Sequence, residues 1–329
     1  MKETQKQLLV LGGAGFIGSH IAAAFLREGW RVGVIDGLVE GTGGRPENLA
    51  RVRSDLEFAD LQKLEEVPDL PERVRWADCI VDAMAFTGHL VGFQEPLRDL
   101  DSNLLSHLAL IQALKCCPGK RVLYLGTRSQ YGNVPGEWIT EDSPCLPVDP
   151  QGIHKLAAEH FFRIYGRPNQ FDAVSLRLTN CFGPNQRTTG ELGLVGGFIQ
   201  DALDDKPIEI FGSAARSRNL LYGPDVARIV LEMACRPWKG FDVFNVGGVE
   251  TTIEALLNGI FEAAGKGTFT VKPFPEHVKR IDVGEARFSD EKLTRFLGSR
   301  ERTPLCTALG ETVEYFKQNQ PRKIHDMAM

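Results

Sequence analysis

The stretch Leu8–Glu28, LLVLGGAGFIGSHIAAAFLRE, decides the fold. Leu8–Leu11 is an apolar run of strand length, glycines interrupt it, and a helical pattern follows, so the stretch reads as strand, tight turn and helix. Gly13, Gly15 and Gly18 keep the GxGxxG spacing, and Gly12, Gly15 and Gly18 fit the wider GxxGxxG form. Glycines at these positions permit a tight turn, close approach of backbone to a pyrophosphate, and tight packing of helix on strand. The helix then opens with Phe16, Ile17 and Gly18, where free N–H groups and the helix dipole favour negative charge.

A glycine turn of this kind also arises for packing alone, so its surroundings decide. The next strand, Arg31–Ile35, ends at Asp36, about 20 residues beyond the glycines, where a carboxylate would bond the hydroxyls of an adenosine ribose. No basic residue stands at Gly37 or Leu38 to hold a 2′-phosphate. The pattern therefore points to NAD rather than NADP.

Composition sets the outer limits. At 329 residues the chain can bury a substantial core, and 43% hydrophobic with 25% charged residues is ordinary for a soluble globular protein. Its net charge of −5 arises without a long run of either sign, which argues against nucleic acid or a membrane surface as main partner. The seven cysteines form no CxxC pair and sit mostly in apolar segments. They read as buried thiols in a reducing compartment, with no disulfide and no metal site, and a cytoplasmic location is the expectation.

Strand and helix patterns alternate through the first half. A third strand at Leu56–Ala59 is closed by Asp60 and Leu61, and a fourth spans Ala77–Ala85. A helix over Asp101–Cys116 precedes a fifth strand, Arg121–Leu125, and a helix over Gly152–Tyr165 precedes a sixth, Ala173–Leu178. The expected class is α/β, a Rossmann-type doubly wound parallel sheet with a smaller C-terminal substrate lobe. Loops at the carboxyl ends of such strands line the ligand crevice, so Ala85–His89, Thr127–Tyr131 and Asn180–Gln186 should face one another, and Asp60, Leu61, Ala83 and Ala85 are expected to bind the cofactor. Residues 1–180 with about 222–248 are expected to form the NAD-binding domain, and about 181–221 with 249–320 the lobe. Residues 321–329 read as a frayed tail.

These motifs together resemble the extended short-chain dehydrogenase/reductases that modify nucleotide sugars, the epimerase/dehydratase group. The resemblance runs over nearly the whole chain. It rests on GGAGFIG and Asp36, Asn103 in the helix after the fourth strand, Thr127 and Tyr131 in TRSQYG, Lys155 in HKLAAE, RLTNCFGPNQ at Arg177–Gln186, SRNLLYGPDVA at Ser217–Ala227, and Asn245–Gly247. It implies NAD-dependent oxidation of a nucleotide-linked sugar, usually at C4, to a transient keto sugar, followed by return of the hydride. Epimerisation of a UDP-sugar is the leading expectation, and dehydration or decarboxylation the runner-up. The resemblance also implies a homodimer built on the helices at Asp101–Cys116 and Gly152–Tyr165.

The sequence departs from the family at the base. The family carries Tyr-x-x-x-Lys on one helix, and four residues before Lys155 stands Gln151, whose amide accepts no proton near neutral pH. Three alternatives stay open. Gln151 orients the sugar while His154 or His89 takes the proton; Lys155 does so itself, its pKa lowered by burial; or the fold binds a nucleotide sugar without turnover. Thr127 stands where the family has its serine or threonine. Where dehydratases carry Asp-Glu this chain has Arg128 and Ser129, and Arg128 suits an anionic group on the sugar. By resemblance Asn180, Arg218 and Arg280, with Arg187 close by, would hold the diphosphate.

Overall fold

The structure, a computed structural model, describes residues 5–134, 138–188, 193–273 and 287–319. Seven strands form its central sheet: β1 (Gln7–Leu11), β2 (Arg31–Ile35), β3 (Phe58–Asp60), β4 (Cys79–Asp82), β5 (Arg121–Thr127), β6 (Asp172–Leu178) and β7 (Phe241–Val246). Their spatial order is β3-β2-β1-β4-β5-β6-β7, and every neighbouring pair is parallel. The order reverses at β1, which lies between β2 and β4, and a doubly wound sheet binds its ligand at such a switch point.

Strands covered on both faces read as continuous apolar runs, and β1 and β4 are buried along nearly their whole length. One face carries the helices Phe16–Arg27 and Gly223–Cys235, whose Ile21, Phe25, Val226 and Val230 share a core with Val10, Val34 and Val81. The other face carries Leu70–Trp76, Ser106–Leu114 and Pro150–Asn169, packing Val74, Leu110 and Phe162 against Leu9, Ile80 and Tyr124. A third apolar cluster lies in the C-terminal half, where the helices Gly193–Leu203, Ile253–Ala264 and Leu305–Asn319 enclose Ile199, Leu256, Leu257 and Phe316. The helix Glu291–Leu297 packs Leu293 and Leu297 into the first of these cores, although it belongs in sequence to the segment expected to form the lobe.

The observed elements depart from the sequence expectation chiefly at their ends. The helix expected over Asp101–Cys116 opens with a π turn, Asp101–Leu105, continuing from the short helix Pro96–Leu100, before α-helix resumes at Ser106. The helix expected from Gly152 begins at Pro150, since Asp149 accepts from the Gly152 N–H at 2.6 Å and Pro150 suits the first turn. Arg280 and the tail 321–329 lie outside the described residues.

Candidate active site

At the carboxyl ends of β1, β2, β4, β5 and β6 the structure opens into a cleft of about 780 Å³. One wall is the turn after β1. Gly12 adopts φ +73°, and a Cβ there would stand 2.9 Å from the Ala83 carbonyl carbon. A Cβ at Gly18 would overlap the Gly12 carbonyl oxygen, so the glycines bring helix and strand together at the spacing the sequence requires. Gly13 contributes by packing, since a Cβ there would meet Val34 at 2.6 Å, and it does not line the cleft. Gly12, Gly15, Phe16, Ile17 and Gly18 do line it. The helix that starts at Phe16 has no acidic residue in its first turn, which leaves the positive end of its dipole to an anion.

Asp36 borders the cleft at the end of β2 and is 6% exposed. Its Oδ2 accepts from the Ala14 N–H at 2.9 Å and its Oδ1 from Leu38 N–H at 2.8 Å. A carboxylate has about four acceptor sites, so both oxygens keep capacity for a pair of ribose hydroxyls. Burial pushes its pKa up, and the N–H groups of Leu38, Ala14 and Gly15 oppose that shift. These features fit a dinucleotide: a cradle that side chains would fill, a bare helix N-terminus, and a held carboxylate.

The loop after β4 forms the next wall, with Ala83, Met84, Ala85 and Thr87 on the cleft. Its Phe86 peptide is clasped on both sides by Asn103, whose Oδ1 accepts from Phe86 N–H at 3.0 Å while Nδ2 donates to Phe86 O at 2.9 Å. Asn103 is fully buried and lies behind the cleft rather than on it. The Gln151 Nε2 donates to the same carbonyl at 3.0 Å, and Lys155 Nζ donates to Met84 O at 3.0 Å. Both residues line the cleft, on the first two turns of the helix Pro150–Asn169. Below Lys155 lies the Tyr124 ring, 4.6 Å from Nζ, and burial lowers the lysine pKa to about 8.

Thr127 closes β5 and lines the cleft together with Arg128 and Ser129. Its Oγ1 accepts from Ser129 N–H at 3.2 Å, which leaves its own hydrogen free to donate forward. Behind this loop, buried Glu159 accepts from Gln130 Nε2 at 2.8 Å, Ser175 Oγ at 2.6 Å and Arg177 Nε at 3.0 Å, tying β5, β6 and the helix together. Tyr131, also buried, donates to Asn245 Oδ1 at 2.7 Å.

The far end of the cleft is walled by Thr179, Asn180, Gln186 and Arg187, with Leu194 and Val195 of the helix Gly193–Leu203. Arg187 reaches back to donate to Gly41 O at 2.6 Å.

Several sequence candidates lie elsewhere. His154 Nδ1 sits 2.6 Å from Asp99 Oδ1, and His154 is not on the cleft. Its spacing from Gln151 put it on a similar helix face, but Asp99 of the neighbouring helix holds the ring aside. Asp60 pairs with Arg73 at 3.0 Å, Leu61 packs on the first core, and Arg218 donates to Ser217 O at 2.8 Å; none of the three lines the cleft. His89 begins the helix His89–Gln94, and its side chain is outside the described ones. Sequence reasoning missed Asp149, which borders the cleft with Gln151, whereas Thr87 and Ser129 lie in loops expected to line it and do so. The Asp-Pro pair at 149–150 is a helix-start signature and would have placed Asp149 at the mouth of the Gln151 helix.

Comparison with known proteins adds identity to this geometry. The model of the NAD dependent epimerase/dehydratase family matches residues 8–247. The UDP-glucose 4-epimerase of Mycolicibacterium smegmatis is 29% identical over 94% of this chain and 98% of its own. The dTDP-glucose 4,6-dehydratase of Streptomyces niveus is 27% identical over 95% of this chain and 94% of its own. Among solved structures, the Thermus thermophilus UDP-glucose 4-epimerase in complex with NAD superposes with a TM-score of 0.79 at 29% identity, covering 95% of this chain and 99% of that one.

Proposed function

The chain belongs to the NAD dependent epimerase/dehydratase family, and from that premise we propose that it is an isomerase that inverts C4 of a UDP-sugar through a transient 4-keto intermediate. The observation that carries this reading is the continuity of the cleft. It runs from the glycine turn and Asp36, past Thr127, Gln151 and Lys155, to Asn180 and Arg187, which is the sequence of contacts that a dinucleotide and a nucleotide sugar bound end to end would need. NAD supplies reversible exchange of hydride with the sugar carbon.

The remaining work falls to this chain's side chains. Gly12, Gly15 and the first turn of the following helix hold the pyrophosphate, Asp36 holds the adenosine ribose, and Ala83 and Ala85 leave room for the cofactor along the loop after β4. Asn103 acts from behind by fixing the Phe86 peptide. Thr127 donates its hydroxyl hydrogen to the sugar oxygen as a carbonyl develops there. Gln151 orients the sugar, Arg128 reads its outward substituents, and Asn180 and Arg187 serve the diphosphate. Residues 1–180 with about 222–248 serve the cofactor, and the C-terminal lobe serves the nucleotide sugar. The family's dehydratases carry Asp-Glu directly after this threonine as acid and base, and Arg128 with Ser129 offers no such pair, which favours epimerisation over that dehydration mechanism.

The working form in this reading is a homodimer. Leu97, Leu105, Ile153 and Ile164 are 78%, 47%, 52% and 56% exposed, on the helical stretches 96–105 and 150–169. Seven free thiols suit a reducing cytoplasm. Among the described residues no helix is long and apolar enough to cross a membrane.

The test is incubation with NAD and a panel of UDP-, dTDP-, GDP- and CDP-sugars, uronic acids included, followed by chromatography with mass detection. A new peak of unchanged mass from a UDP-sugar supports the reading. A peak lighter by water or carbon dioxide replaces it with the lyase alternative, and absence of any product leaves a nucleotide-sugar binding protein.

A further inference from the structure

Oxidation of an alcohol releases a proton, and the group that takes it has to face the sugar. The phenol expected by resemblance is an amide at Gln151, and an amide is no base near neutral pH. His154 is engaged by Asp99 and lies off the cleft. Lys155, one helical turn beyond Gln151, faces the cleft and is 2% exposed.

The surroundings of its amine are apolar or already engaged. From β4 comes Asp82, whose Oδ2 bonds His107 Nδ1 at 2.7 Å and whose Oδ1 accepts from Met84 N–H at 3.2 Å. From the helix Ser106–Leu114 comes His107, whose pKa burial lowers. From β5 comes Tyr124, whose hydroxyl donates to the Lys155 backbone carbonyl at 3.0 Å and whose pKa burial raises. From Pro96–Leu100 comes Asp99, bound to His154, and on Lys155's own helix Glu159 is bound to Arg177. None of these carboxylates bonds Nζ, whose hydrogen bond goes to the neutral Met84 carbonyl. With no bonded counter-ion among the described residues, burial favours the –NH2 form, with one hydrogen on Met84 O and a lone pair left for the cleft.

We propose that the neutral Lys155 amine, in place of a phenolate, accepts the C4 hydroxyl proton of the sugar; this rests on the epimerase reading above. As the O–H bond breaks, the proton passes to the Nζ lone pair. The C4–H electron pair would leave as hydride, the acceptor chemistry that bound NAD would supply, and C4–O would become a carbonyl. Return of the hydride to the opposite face would take the proton back from Nζ and restore the neutral amine. Burial holds the Lys155 pKa at about 8, against the pull of Asp82 and Asp99, so a useful fraction is neutral at working pH.

Two measurements test the proposal. The first is an NMR titration of protein carrying ¹³C-labelled lysine, with the Lys155 signal identified by its loss in Lys155→Arg. A midpoint near 8 is expected, and one at the ordinary lysine value of 10.5 overturns the proposal. The second compares Lys155→Arg with wild type. Arginine keeps the charge and a donor for Met84 O but has no lone pair to offer. Calorimetry is expected to find NAD affinity within about tenfold of wild type, and turnover about 10²-fold lower or less, the scale of a lost general base. Wild-type turnover should rise with pH through the same midpoint. Undiminished turnover in Lys155→Arg would remove Lys155 from the proton step and leave the epimerase reading standing. No product from wild type with any nucleotide sugar would instead sink that reading, and the proton step with it.

Discussion

Lys155 is a buried amine that is costly to charge, and stability should record this. The folded pKa of about 8 lies below the ordinary 10.5, so between those values the unfolded chain binds more protons than the native one. Stability therefore rises with pH across that window, and the penalty is fully present below about pH 8. Replacing the amine by Lys155→Met should stabilise the protein at pH 7 by up to about 3 kcal/mol, less about 1 kcal/mol for the lost bond to Met84 O. Urea unfolding at pH 7 and at pH 10.5 checks this, with the gain over wild type vanishing at the higher pH. His154 shows the opposite balance. Asp99 is 1% exposed, its Oδ1 bonds His154, and its Oδ2 has no partner among the described residues. Removing the ring in His154→Ala leaves a buried carboxylate alone, so a loss of about 1–3 kcal/mol in stability is expected, with NAD affinity unchanged. A variant as stable as wild type but unable to turn over would restore His154 to the chemistry.

At the scale of elements, the turn between β1 and its helix is the least tolerant piece. In Gly18→Ala the new methyl meets the Gly12 carbonyl, so the helix N-terminus has to move away from the strand. NAD affinity should fall more than tenfold by calorimetry, and stability by about 1–3 kcal/mol, the usual scale of overpacking; affinity at the wild-type level would mean the turn absorbs the methyl. This turn was fully legible in sequence, because glycine spacing and backbone geometry are the same information. The π turn at Asp101–Leu105 was not. Leu104, Leu108, Ile111 and Leu114 keep a helical period through it, so nothing in the pattern marks where the helix widens to carry Asn103 behind the Phe86 peptide. The Glu159 hub was equally hidden, since its donors come from Gln130, Ser175 and Arg177 on two other strand regions.

For the whole molecule, the proposed dimer makes a direct prediction. Glutamate at Leu97 and Ile153, in a Leu97→Glu/Ile153→Glu variant, should shift the mass found by light scattering from dimer to monomer with NAD binding intact. A wild type that is already monomeric at working concentration would remove the dimer. Sequence by itself determined the alternating α/β class, the strand-turn-helix at Leu8–Glu28, Asp36 at the end of β2, and the absence of a phenol four residues before Lys155. Each of these is local: a period, a spacing or a residue identity that backbone geometry converts directly into structure. Only the tertiary structure decided that His154 turns to Asp99, that Asp60 and Arg218 stay off the cleft, that Asp149 reaches it, and that Lys155 is buried with no bonded counter-ion among the described residues. Those facts depend on which side chains distant segments bring together, and burial and pairing are properties of that assembly rather than of any stretch of chain.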